Sequence, residues 1–281
     1  MTSSDLSSGP QHYRFNLGHF VLLLIVIVVC VFPFYWMVST SFKEQTAILS
    51  STPQFIFRPT LENYIDADRK FNIGASLLNS LIVALSTTAI SLILGAPAAF
   101  AIARFEFKAK QDLWFWFISN RMISPIVMAL PFFLIARQFK LLDTQLALIL
   151  IYLTFNVPIV VWICADQFRN IPIELDEAAT LEGYNSFGIF WRIALPLAAP
   201  GIAVSAIFTF IFSWNELLYA LVLTRTNAKT APVVATSFLS GYETPWGQIM
   251  ATGTLVALPV IIFSLIVSRQ LVRGLTMGAI K

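Results

Sequence analysis

The stretch Ile171-Pro172-Ile173-Glu174-Leu175-Asp176-Glu177-Ala178-Ala179-Thr180-Leu181-Glu182-Gly183, followed by Tyr184 to Arg192 and then Ile193-Ala194-Leu195-Pro196, decides how this chain folds. Pro172 suits the first turn of a helix, and Glu174, Asp176 and Glu177 suit its positive N-terminal end. The alanines are strong helix formers, and Gly183 suits a left-handed stop. A short helix outside any membrane is therefore predicted. Asn185 or Ser186 can cap a second helix, which carries Phe187, Phe190 and Trp191 toward a bilayer interface and ends near Pro196. The product is a helix-turn-helix elbow at about residues 167–200, presenting small residues and acids between two apolar runs.

Those runs set the class. The chain is 57% hydrophobic and 12% charged, with a mean hydropathy of +0.77, against roughly half apolar and a quarter charged in soluble domains. A membrane-crossing helix needs about 20 predominantly apolar residues. Six segments qualify: Leu17 to Phe42, Ala75 to Ala103, Leu113 to Ala136, Thr144 to Ala165, Ile193 to Leu223 and Trp246 to Ser268. The expectation is an all-α integral membrane protein, a bundle of six transmembrane helices over residues 17–281 preceded by a tail at 1–16. The first segment is too long for a cleaved signal peptide and lacks a small-residue cleavage site, so it should remain as a span. Gly95-Ala96-Pro97, Pro125, Pro131 and Pro158 predict broken or bent spans, which commonly border a cavity. Lys and Arg are nearly balanced between the two sides, so charge alone leaves the orientation open.

Several chemistries are excluded. Cys30 and Cys164 lie in apolar runs and His12 and His19 near the start, which leaves no metal cluster and no nucleophile-base constellation. Basic residues are too scattered for a nucleic-acid footprint. No glycine is followed by lysine, so the chain lacks the phosphate cradle of an ATPase. It is expected to be non-catalytic and to bind no cofactor. Polar groups do occur at membrane depth, where they are expensive and usually functional. Asn120, Arg121 and Ser124 cluster in the third segment, and Asn156 stands in the fourth. In the fifth, Ser205, Thr209, Ser213 and Glu216 share a helical face beside Asn215 and Tyr219. Asn120, Arg121, Ser124, Asn156, Ser213, Asn215, Glu216 and Tyr219 are thus candidates for a translocation pathway. The alternative is bonding between helices, and Arg121 and Glu216 can pair with each other or with a neighbouring subunit.

The order Glu177-Ala178-Ala179, three residues, Gly183, nine residues, Ile193-x-Leu195-Pro196 resembles, without a gap, the EAA loop of ABC importer permeases. Ala103-Arg104-Phe105-Glu106-Phe107, Trp214-Asn215-Glu216-Leu217-Leu218-Tyr219-Ala220-Leu221 and Leu271-Val272-Arg273-Gly274-Leu275-Thr276 resemble the shorter permease subunit of maltose-type sugar importers. Glu182 stands where many relatives have Asp, and Tyr184 where Ala is common. The resemblance implies a multi-pass protein of the bacterial inner membrane with both termini cytoplasmic. It implies an elbow seated in a separate ATPase subunit through Glu174, Glu177, Ala178, Ala179, Gly183 and Pro196. Implied partners are a second, homologous permease, two copies of an ATPase that uses ATP and Mg, surrounding lipid, and an extracytoplasmic solute-binding protein met by Arg225 to Pro245. The implied solute is a carbohydrate or related polar compound. A secondary carrier would instead show an inverted repeat, and no signature recurs; a channel would leave the elbow unexplained.

Overall fold

In hydrocarbon every backbone N–H and C=O must find a partner within the chain, and the computed structural model, which describes residues 17–238 and 244–277, meets this with helices and no strand among them. Four helices run unbroken and are apolar enough to span: α1 (Leu17–Ser41), α4 (Ile73–Arg104), α7 (Gln145–Arg169) and α14 (Trp246–Met277). Two further spans are bent pairs. One joins α5 (Lys110–Asn120) to α6 (Pro125–Gln138) at 98°; the other turns 78° between Ser186–Leu197 and α11 (Ala199–Trp214). The six-span expectation is met when each bent pair counts as one span. The tail at 1–16 and the last residues, 278–281, lie outside the described residues.

The bends fall where local chemistry puts them, and not at every predicted proline. Proline disfavours a helical predecessor; Ser124 is extended (φ −63°, ψ 128°), and Pro125 opens α6. The third segment is therefore an angled pair and not one rod. Pro97 and Pro158 sit inside helices that continue through them. Gly95, read from sequence as a break, has another use: a Cβ there would lie 2.6 Å from Val160 Cγ1, so α4 and α7 approach as closely as a missing side chain allows. The predicted fifth span, Ile193 to Leu223, is also divided. It begins within a π-helical turn at Phe190–Ala194 and contains the 78° bend and a second interruption at residues 215–217 before α12 (Leu218–Leu223).

Helices α4, α7 and α11 pack together as the centre of the bundle, with Val160, Val161, Cys164 and Phe168 fully buried. Outside this centre α1 leans on α14, and Phe20 to Val29 of α1 remain exposed, as suits a helix facing lipid. At the end of the bundle where α4 begins, α3 (Glu62–Phe71) packs on α14, and α13 (Ala231–Ser237) packs on both α4 and α14. There Asp143, in left-handed backbone (φ 59°), accepts from the N–H groups of Arg225, Thr226, Asn227 and Ala228 and from the Thr226 hydroxyl. Burial alone would raise its carboxyl pKa, but these donors prevail and hold it well below the usual carboxylate range.

Candidate functional site

The elbow is built as its residues require. Helix α8 (Glu174–Leu181) ends in two reciprocal bonds, Tyr184 N–H to the Ala179 carbonyl and Gly183 N–H to the Thr180 carbonyl, both 3.0 Å. This is the Schellman arrangement, which needs a left-handed residue; Gly183 supplies it at φ +90°. Asn185 then caps the next helix, α9 (Ser186–Ile189), its side-chain oxygen accepting from Gly188 N–H at 2.8 Å. Phe187 and Trp191 are exposed and Phe190 is buried.

The sequence reading placed Asp176 with Glu174 and Glu177 as helix-start acids. In the structure Asp176 turns inward and pairs with Arg104, the last residue of α4, at 2.8 Å with side-chain exposures of 12% and 8%. Arg104 also donates to the Ile171 carbonyl at 2.9 Å. Ala179 is buried in the cluster that holds Phe100, Phe168 and Phe190. The outward face is left to Glu174, Glu177, Ala178 and Leu181, the last 91% exposed; Gly183 and Pro196 are exposed as well. The elbow is thus one helix fastened by an ion pair to a 32-residue span, with a free acidic and apolar face.

Between the α5–α6 break and the interruption at residues 215–217 lies a cavity of about 460 Å³, lined by Asn120, Arg121, Thr154, Phe155, Glu216 and Tyr219 with Ile123, Pro125, Met128, Phe132 and Phe212. Glu216 does not share a helical face with Ser205, Thr209 and Ser213 as expected, because α11 ends at Trp214. It caps α12 instead, accepting from the N–H groups of Tyr219 (2.9 Å) and Ala220 (3.1 Å), and it accepts from the Tyr152 hydroxyl at 2.8 Å. These bonds satisfy donors that a helix start leaves open. Arg121 lies over the Phe212 ring at 5.1 Å. Of the two pairings open to Arg121 and Glu216, the one with each other is not formed: the ion pairs among the described residues are Arg104–Asp176 and Lys110–Glu106.

The other candidates divide. Asn156 donates to Ser213 at 3.0 Å and both are buried, so they tie α7 to α11. Ser205 and Thr209 donate to carbonyls of their own helix. Asn215 is exposed and donates to Ile211, and Ser124 stands at the start of α6, outside the cavity lining. Sequence reasoning missed Tyr152, Thr154, Phe155 and Phe132. The available signal was a tyrosine in an apolar run, whose hydroxyl must find a partner when buried. Phe155 stacks with Tyr219 at 6.1 Å and 22°, and Phe132 meets Tyr219 edge-on at 5.6 Å, so the cavity has an aromatic wall beside its polar groups.

Interrupted spans around a polar and aromatic cavity, with a charged elbow fastened to the bundle, define a multi-pass membrane transport subunit. Residues 91–277 match the family of binding-protein-dependent transport system inner membrane components, and the chain belongs to it. Among curated relatives, the trehalose transport system permease protein SugB of Mycobacterium tuberculosis is 38% identical over 93% of this chain and 96% of its own length. The trehalose/maltose transport system permease protein MalG of Thermococcus litoralis is 32% identical over 92% and 94%, and the diacetylchitobiose uptake system permease protein DasC of Streptomyces coelicolor is 32% identical over 93% and 95%. A crystal structure of a bacterial ABC transporter that imports the acidic polysaccharide alginate shares the fold, with a TM-score of 0.73 at 22% identity over 90% of this chain and 95% of that one.

Proposed function

We propose that this chain is half of the membrane pathway of an ATP-binding-cassette importer for a small carbohydrate. It pairs with a second, homologous permease, and two copies of an ATPase that uses ATP and Mg drive it from the cytoplasm. An extracytoplasmic solute-binding protein delivers the sugar. The elbow and both termini face the cytoplasm, and residues 43–74 and 224–245 face outside. The observation that carries the reading is the elbow itself: α8 is held rigidly by Arg104–Asp176 while Glu174, Glu177, Ala178 and Leu181 are left unoccupied on its outer face. An acidic, partly apolar helix face of this kind suits a basic cleft on a soluble partner.

The cavity supports a sugar solute. The aromatic wall of Phe132, Phe155 and Tyr219 offers faces for C–H groups, and Asn120, Arg121, Thr154 and Glu216 offer edges for hydroxyls. The relatives named for trehalose, maltose and diacetylchitobiose transport point the same way. Co-purification with an ATPase subunit, followed by uptake of labelled disaccharides into proteoliposomes holding the assembled complex, tests the proposal. Uptake that needs both ATP and the binding protein is expected. Uptake without an ATPase subunit would overturn it.

A further inference from the structure

Helix α4 has 32 residues and at 1.5 Å per residue is about 48 Å long, so its first and last turns lie on opposite sides of a bilayer. Arg104 at its last turn holds the elbow. Around its first turn opens a cleft of about 440 Å³ lined by Arg69, Lys70 and Lys229 together with Asn72, Asn79 and Asn227. Among the described residues no carboxylate lines it. Asp68 is occupied by the Gly74 N–H, Asp143 is occupied by the backbone of residues 225–228, and the three cations have no ion-pair partner among the described residues.

The cleft is also held in shape. Asn79 donates to the carbonyls of Asn227 (2.9 Å) and Lys229 (3.1 Å) and accepts from Gln145 at 2.6 Å, so the backbone that carries Lys229 is fixed to α4 and α7. Asn72, left-handed at φ 52°, joins α3 to α4 and sets the position of Arg69 and Lys70. Three cations on fixed backbone, with no acid of the described residues among them, form a preorganised site for an anionic group.

We infer that this cleft receives an aspartate or glutamate side chain of the solute-binding protein when that protein docks, a step that rests on the proposed function. A protein carboxylate suits it better than a lipid phosphate. Its walls carry the amides of Asn72, Asn79 and Asn227 and the hydroxyls of Ser76 and Thr226 beside Phe71, Ala75 and Val234, and they belong to α3, whose surface is strongly charged, to the first turns of α4, and to α13 and the loop before it. Rim cations facing an acidic partner chiefly speed and orient association, and salt weakens them.

The test uses the assembled importer in phosphatidylcholine nanodiscs, with and without phosphatidylglycerol, and reads the binding-protein concentration that half-maximally stimulates ATPase. Arg69→Glu with Lys229→Glu should raise that concentration about tenfold or more at low salt, leave basal ATPase unchanged, and lose most of its effect at high salt. Arg69→Gln with Lys229→Gln should shift it in the same direction by less, and Arg69→Lys should restore it. A lysine placed for an acid on the facing surface of the binding protein should rescue the reversed variant. An unchanged half-maximal concentration overturns the inference, as does a shift seen only with phosphatidylglycerol, which would make the cleft a headgroup site. If the binding protein fails to stimulate the wild-type complex at all, the importer reading falls with it.

Discussion

Breaking the Arg104–Asp176 pair should uncouple the elbow from the bundle. The pair lies at 2.8 Å with little exposure on either side chain, and Arg104 uses a second nitrogen on the Ile171 carbonyl just before α8. Asp176→Ala leaves the guanidinium without its counter-charge, a loss that costs about 3 kcal/mol or more when the survivor stays buried. At 1.4 kcal/mol per decade this is about a hundredfold in the population of the docked elbow. Uptake by the assembled complex should fall by about that factor while the protein still inserts and basal ATPase persists. Arg104→Met should do similar harm, and the double variant Arg104→Met with Asp176→Leu should recover much of the loss, because a buried ion pair replaced on both sides by apolar groups is often neutral. A double-mutant cycle on the uptake rate measures the coupling. If the two single effects simply add, with an interaction below about 0.5 kcal/mol, the fastening argument is wrong.

Gly183→Val should abolish coupled uptake, since a β-branched residue at φ +90° costs about 1–3 kcal/mol. Nothing lies within 4 Å of the missing Cβ, so Gly183→Asn should retain far more activity, and equal damage from both would show that the position acts through space and not through conformation. Glu216→Ala removes the cap of α12 and the acceptor of Tyr152. It should reduce uptake about tenfold, whereas Ser205→Ala should stay within about twofold; wild-type uptake by Glu216→Ala in a normally assembled complex would remove Glu216 from the pathway. Asp143→Asn should lower the temperature of half-inactivation, because hydrogen bonds to a carboxylate are worth about 1.5–3 kcal/mol before a discount for its partial exposure. Its folded pKa is depressed, so its stabilisation is present above the unfolded pKa of about 3.9 and lost as pH falls through the folded value. The gap between wild type and variant should therefore stay constant from pH 7 to pH 5, and a gap that closes there would contradict the assignment.

What could be read from the sequence was local. The start, stop and outward acids of α8 follow from the preferences of Pro172, the alanines and Gly183, and the spans follow from length and apolarity, so both were legible. The inward turn of Asp176 was not. Its partner Arg104 is distant in sequence, and an acid near a helix start is equally well explained by the helix dipole. Pro97 and Pro125 carry the same local rule, yet only Pro125 begins a helix, because α4 is clamped against α7 through Gly95 whereas Arg121 and Ile123, just before Pro125, border open cavity. The polar stripe of the fifth segment misled for a related reason. A helical period holds only while the helix lasts, and α11 stops at Trp214, one residue before Asn215 and two before Glu216.

That same stop joins the two halves of the site. On the proposed function, force on α8 would pass through Asp176 to Arg104, and through Ala179 to the Phe100, Phe168 and Phe190 cluster, and so enter α4, α7 and the helix after the elbow together. With Gly95 pressed on Val160 and Asn156 bonded to Ser213, α4, α7 and α11 have little room to slide past one another and respond as a block. Yielding is left to the places where helical hydrogen bonding lapses: residues 121–124, the 78° bend before α11, and residues 215–217. Two of these three border the cavity, and at one of them Glu216 is bonded at once to Tyr152 on the block and to the start of α12 beyond the break. On the proposed function, a displacement begun at the elbow would reach the cavity wall through Glu216, a task that gives a reason for a carboxylate at membrane depth where a neutral cap would cost less to bury.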